Sequence, residues 1–238
     1  MEMFWILLTV LVASLIKGIT GFGFALVALP VLVQWYSPKE LVPVLILCNM
    51  VASVIIVLQK KEHKLIDTKF QFLIGAGAIT TIFGVLILKF INEQILIYIM
   101  AGFFIVLSLL VLLKQKSNGM KFSTKAHVFV GSLCGLITGC ISVSGPPLAL
   151  FMNMAKVSNQ TFREVFAWFS IATSAVALVG FYGVGMLQMS NLKMALSFLP
   201  ILYVGSFIGK RVNHYLPVEL FKKGSVVLCL ISCVFMLL

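Results

Sequence analysis

Charge is scarce in this chain: Asp, Glu, Lys and Arg make up only 11% of 238 residues, and carboxylates number seven. Hydrophobic residues make up 61% and the mean hydropathy is +1.12. A soluble domain cannot hide that much apolar surface, so this composition excludes one and calls for an integral membrane protein. Metal-site and disulfide patterns are lacking too. Cys48, Cys134, Cys140, Cys229 and Cys233 form no CxxC and no pairing with histidine, and all lie in apolar segments. They read as small packing residues, and no metal or cofactor is expected. His63, His127 and His214 fall in or beside loops and are assigned no chemistry. No carboxylate lies inside an apolar run: Glu2, Asp67, Glu93 and the others sit in loops or at termini, so none can be nominated as a proton carrier. A cleavable leader is not expected, because Glu2 stands where a basic n-region belongs.

The charge that is present is mostly positive, with a formal net charge of +11. The bases lie in short loops between apolar runs, which suits orientation at a membrane surface rather than nucleic-acid binding. The apolar runs cover about 3–35, 41–58, 70–88, 95–113, 126–155, 165–187, 192–209 and 224–238. Six approximate one bilayer crossing, the last being short. The runs 3–35 and 126–155 are too long for one crossing, and each is interrupted, by "KGITGFG" (17–23) and "GCISVSGPP" (139–147).

The interruptions are related by position. A shift of 122 lays Gly23 on Gly145, Thr20 on Ser142, Leu26 on Leu148 and Gly102 on Gly224. A shift of 121 lays Gly84 on Gly205, Lys89 on Lys210 and Asn92 on Asn213. Each half thus holds one long interrupted run followed by three ordinary spans, which reads as an internal duplication with halves 1–120 and 121–238 in one membrane domain. Loop charge decides the threading. If each interrupted run crossed once, Lys and Arg would divide nine inside to eight outside. If each is a hairpin returning to its starting side, the division is 14 to three, with Lys17 in the membrane, and the positive-inside bias appears. A hairpin plus three spans is an odd number of crossings, so the second half is inverted relative to the first. Both termini then lie outside a multi-pass (inner) cell-membrane protein. The expected fold is all-α, with two inverted-topology repeats, each a broken hairpin followed by three transmembrane helices. The hairpin arms are expected to hold about 12–15 residues, roughly 18–22 Å of helix.

Non-helical backbone survives at membrane depth only where protein or a watery cavity satisfies its polar groups. Inverted repeats with broken helices are a common plan of secondary transporters, with the substrate where the breaks meet. In "SVSGPP" (142–147), Gly145 permits close backbone approach, Pro146 and Pro147 suit the first turn of a new helix, and Ser142 and Ser144 can cap it or present hydroxyls. Free N–H groups at such a helix start favour an anion. "GITGFG" offers Thr20 and the amides after Gly21 and Gly23 from the other side.

These residues resemble a family. "GITGFGFALVALP" (18–30) and "GLITGCISVSGPPLAL" (135–150) are similar to the glycine-rich breaks of the TauE/SafE-type sulfite exporter and sulfonate permease family. "ATS" (172–174), "GSFIGKRV" (205–212) and "GVLILKFI" (84–91) resemble its later landmarks. Phe24, where a further glycine is common, and the diproline depart from the pattern. The resemblance implies transport of sulfite, thiosulfate or an organosulfonate, coupled to an ion gradient.

Lys17 is the one charge within 3–35 and reads as a fixed cation for that anion, the plainer reading being a side chain in a watery vestibule. The candidate substrate-binding set is Lys17, Thr20, Gly21, Gly23, Asn49, Ser142, Ser144, Gly145 and Asn153. For the asparagines, interhelical hydrogen bonding is the alternative. Arg163 and Glu164 read as a capped helix start at the surface rather than a gate, and Gly131, Gly135 and Gly139 as a packing stripe. Two competing classes remain: a membrane hydrolase using Ser144, for which Lys17 is the sole available base, and an anion channel. The partners expected are a small anionic substrate, a coupling proton or cation, and the lipid bilayer; a homo-oligomer is left open.

Overall fold

The computed structural model describes residues 2–58, 67–112 and 122–212. The expected span 224–238, with Cys229, Cys233, His63, His214 and many loop lysines, lies outside the described residues. Among those described there are nine helices: α1 (Glu2–Thr20), α2 (Phe24–Leu32), α3 (Pro38–Leu58), α4 (Thr68–Phe90), α5 (Glu93–Leu112), α6 (Thr124–Ile141), α7 (Gly145–Met154), α8 (Asn159–Gly183) and α9 (Met189–Val212). Six of these, α1, α3, α4, α6, α8 and α9, are long and apolar enough to cross a bilayer. The protein is an all-helical, multi-pass membrane protein.

Each interrupted run is two helices, but the arms are unequal, which corrects the expected 12–15 residues. The arms hold 19 and nine residues in α1 and α2, and 18 and ten in α6 and α7. At 1.5 Å per residue the first arms are about 27–28 Å long and the returning arms about 14–15 Å. The returning arms are shorter because the breaks, residues 21–23 and 142–144, are taken from them and because α2 and α7 end at Leu32 and Met154, before their runs do. Gly21 (φ 86°) ends α1 and Ser142 (φ 59°) ends α6, each close to the middle of its apolar run. In each the amide of that residue bonds the carbonyl four back, Gly21 to Lys17 and Ser142 to Thr138, both at 2.8 Å. Two residues later Gly23 and Ser144 stand as N-caps of α2 and α7. The two breaks are therefore built alike, at an offset of 121 residues rather than the 122 that best overlays their letters.

Contact register gives the helix directions. Ser14 of α1 reaches the carbonyl of Ile201 in α9, and Gly18 abuts Ser206 and Gly209, so α1 and α9 run parallel. Gly131 abuts Leu73, and Gly139 abuts Thr81 and Gly84, so α6 runs parallel to α4. Asn191 donates to the carbonyl of Glu40 at 2.9 Å, which puts the starts of α3 and α9 side by side. Ser37 donates to Glu93 and Lys39 to the carbonyl of Lys89, so α4 ends where α3 starts. Phe169 meets Gly77 and Gly180 meets Val85, making α8 parallel to α4. Hence α1, α3 and α9 run one way and α4, α6 and α8 the other. The starts of α1 and α3 share a face, so the break, α2 and residues 33–37 bring the chain back to the side it left.

The tightest pairs are α1 with α9 and α4 with α6. Backbone meets backbone there because no Cβ intervenes: the carbonyl of Thr81 occupies the place a Cβ on Gly139 would take, and that of Leu15 does the same at Gly209. The stripe Gly131, Gly135 and Gly139 is thus a packing stripe. Thr80 and Thr81 donate across the same seam to the carbonyls of Ser132 (2.8 Å) and Gly135 (3.1 Å). Large apolar side chains such as Phe83, Phe90, Tyr98, Val179 and Tyr182 face outward, while Ser14, Thr81, Thr173 and Ser174 are buried. That distribution matches a solvent of lipid.

Candidate functional site

Both breaks open onto one cavity. It is lined by residues 23–26 from the first and 142–146 from the second, with Asn49, Thr138, Phe166, Ser170 and Ser174. Asn49 lies near the middle of α3, and Ser170 and Ser174 near the middle of α8, so the cavity lies at mid-depth in the helical layer. The ring of Phe22 packs against Gly145, where a Cβ would collide with it. That contact locks the first break against the start of α7.

The breaks contribute different donors. Neither α2 nor α7 receives a side-chain cap at its start. In α2 the first-turn amides of Phe24, Ala25 and Leu26 therefore face the cavity end without a capping acceptor. In α7, Pro146 and Pro147 carry no N–H, which leaves Gly145 alone in that first turn. The second break supplies hydroxyls instead: Ser142, Ser144 and, from neighbouring helices, Thr138, Ser170 and Ser174. A helix start with open amides, ringed by hydroxyls, suits an anion. His, Asp and Glu are absent from this lining among the described residues.

Lys17 is almost fully buried, at 1% exposure. Its ammonium donates to Asn49 Oδ1 at 2.8 Å and to the Asn49 carbonyl at 3.2 Å. Asn49 Nδ2 in turn donates to Ser142 Oγ at 3.2 Å. A polar chain thus runs from the cation of α1, through the middle of α3, to the second break. Asn49 serves both as an interhelical tie and as a cavity wall.

The other sequence candidates divide. Ser142, Ser144, Gly145 and Gly23 line the cavity. Thr20 is spent locally: its hydroxyl donates to the carbonyls of Ile16 and Phe22 and accepts from the Phe22 amide, closing the break. Gly21 lies at the tip beneath the Arg163 side chain. Asn153 is exposed near the end of α7 and outside the lining. His127 is four residues into α6, at the far end of that helix from Ser144.

Three lining hydroxyls, Thr138, Ser170 and Ser174, are absent from the sequence candidates. Ser170 and Ser174 are four apart and so share a face of α8, a spacing that was available as a signal. Arg163 also exceeds its expectation. Ser158 does cap α8, accepting from the Thr161 amide at 3.1 Å, but Arg163 reaches inward and donates to the Gly18 carbonyl at 3.3 Å.

Comparison with protein families matches residues 6–236 to the family described as Sulfite exporter TauE/SafE. Comparison with curated proteins and with solved structures gives no match.

Proposed function

As the chain belongs to the sulfite exporter TauE/SafE family, we propose that it is a secondary transporter of a small sulfur-containing oxyanion such as sulfite, thiosulfate or an organosulfonate. The observation that carries this is the convergence of two helix breaks on one cavity, with open amides from α2, hydroxyls from the second break and a buried lysine tied in through Asn49. The amides and hydroxyls replace the anion's hydration shell, and Lys17 offsets its charge.

The transport cycle we propose is alternating access by two inverted repeats, 1–120 and 121–238. Several observations support the repeat reading: the like construction of the breaks, and the pairing of α1 with α9 and α4 with α6, which exchange under a two-fold relation of the halves. The opposite directions of α1 and α6 support the inversion. Rocking one repeat against the other opens the cavity to each side in turn. The membrane potential costs an anion about 2.3 kcal/mol per charge per 100 mV on moving inward, so export runs with the field and uptake requires a coupled cation.

The test is uptake of labelled sulfite, thiosulfate and a simple sulfonate into proteoliposomes under a potential of either sign. Saturable flux of one anion supports the reading. Flux that does not saturate marks a channel, and no flux under any gradient removes the substrate class.

A further inference from the structure

α8 carries Phe162, Phe166, Ser170 and Ser174 at successive four-residue steps, so they form one row along the helix. Phe166, Ser170 and Ser174 wall the cavity between the breaks, and Phe162 lies about 12 Å before Ser170, in the first turn of α8. Two aromatic rings thus occupy the row between that end of the bundle and the cavity. A third comes from the first break. The ring of Phe22 meets Phe162 edge to face at 5.5 Å between centroids and Phe166 at 6.1 Å, while the two α8 rings stack on each other at 5.9 Å. Phe22 also lies against Gly145 at the start of α7. Toward the opposite end the cavity backs onto the main core: α2 is buried at eight of its nine residues, and past Ser174 α8 buries Ala177 and Phe181 there. Toward the start of α8 the cover is, by contrast, a layer of three rings.

We propose that Phe22 is the gate of this cavity: its ring shuts the passage between the cavity and the start of α8, and the tip of the first break swings away to let the oxyanion through. Phe22 stands between Gly21 (φ 86°) and Gly23 (φ 97°), both in the left-handed region that favours glycine, so the tip has a hinge on either side of the ring. Arg163 latches the tip. Its stem covers Gly21, where a Cβ would come within 3.0 Å of Arg163 Cγ, and its guanidinium donates to the Gly18 carbonyl at 3.3 Å. Gly21 and Phe22 belong to the first of the two proposed repeats, and Gly145, Phe162, Arg163 and Phe166 to the second. Rocking one repeat against the other therefore draws the ring out of its seat. The start of α8 lies on the side that the positive-inside rule assigns to the cytoplasm. The inference rests on the alternating-access reading, which it deepens by naming the gate on one side.

Ser170→Cys places a thiol on the cavity wall, and Lys156→Cys, just before α8, marks the end of the bundle at which that helix begins. Each is reacted in inside-out and in right-side-out membrane vesicles with the membrane-impermeant sulfonatoethyl methanethiosulfonate. The rate of the protein without the added cysteine is subtracted. From the side that labels Lys156→Cys, Phe22→Ala should speed labelling of Ser170→Cys about tenfold, and Phe162→Ala, which leaves Phe166 in place, about threefold. From the other side both should stay within about twofold of their parent. Phe162→Ala carries the test alone should Phe22→Ala fail to fold. Phe169→Leu loosens a ring of α8 that packs instead on Gly77 of α4, and it should leave both rates within about twofold. Unchanged labelling, equal acceleration from both sides, or a like acceleration by Phe169→Leu would each overturn the gate. Flux measurements separate this inference from the reading it rests on. Saturable flux with labelling unchanged in Phe22→Ala removes the gate and keeps the transporter. Faster labelling with no anion carried removes the transporter and keeps Phe22 as the barrier to the cavity.

Discussion

Asn49→Leu removes the best acceptor of a buried ammonium. In the folded protein Lys17 Nζ lies 2.8 Å from Asn49 Oδ1, and Asn49 Nδ2 lies 3.2 Å from Ser142 Oγ. A hydrogen bond to a charged group contributes about 1.5–3 kcal/mol and a neutral one about 1 kcal/mol. The added leucine methyls recover part of this, so the net loss is about 3 kcal/mol. For a chain of this size each kcal/mol lowers Tm by about 2–4 °C, so Asn49→Leu should melt about 6–12 °C below wild type in detergent. The decisive comparison is the double variant with Lys17→Met, which removes the charge that Asn49 serves. It should recover about 2 kcal/mol of the loss, a coupling that independent sites do not show. The assay is thermal unfolding of all four proteins of the cycle. Strict additivity, or an Asn49→Leu variant that melts with wild type, would refute the argument that this pair is a charge-assisted tie in a dry interior.

Three other outcomes follow from the packing and the breaks. Gly139→Ala puts a Cβ against the Thr81 carbonyl and should cost about 1–3 kcal/mol, whereas Gly102→Ala, with open space around it, should melt at or slightly above wild type. Ser142→Val forces a β-branched residue into the left-handed region (φ 59°) and should cost about 1–2 kcal/mol, while Ser142→Gly should fall within about 1 kcal/mol of wild type, losing the Asn49 contact but relieving the backbone. Reporters fused after Leu238 and cysteines placed at Lys39 and at Lys156 should read outside, outside and cytoplasmic; a cytoplasmic reading at Leu238 breaks the inverted-repeat proposal.

Much of this architecture was legible because glycine and proline are strong signals in apolar sequence. "GITGFG" and "SVSGPP" mark helix ends wherever they occur, and in lipid such ends must face something polar. Arm length was not legible, since it depends on how many residues each break takes after Gly21 and Ser142 and on where the returning helices end, at Leu32 and Met154. The cavity walls contributed by α8 were hidden for another reason. A hydroxyl in an apolar helix commonly bonds its own backbone, as that of Thr173 does to the carbonyl of Phe169 at 2.7 Å, so the four-residue spacing of Ser170 and Ser174 was a signal of a shared face but not of a cavity. Arg163 was read from its neighbours, which describe a capped helix start. Its partner, Gly18, is 145 residues away in the chain and is supplied only by tertiary packing.

Transport depends on the residues that line the cavity between the breaks, and a comparison of four proteins tests this dependence. Saturable flux of labelled sulfite, or of whichever sulfur oxyanion is carried, is measured in proteoliposomes for wild type, Ser144→Val, Ser174→Val and Asn153→Ala. Ser144 and Ser174 line the cavity, whereas Asn153 is exposed and apart from it. Losing one hydrogen bond to a bound anion should lower kcat/KM about tenfold or more in each serine variant, with Asn153→Ala close to wild type. Serine variants that transport like wild type, beside an Asn153→Ala variant that does not, would contradict the account.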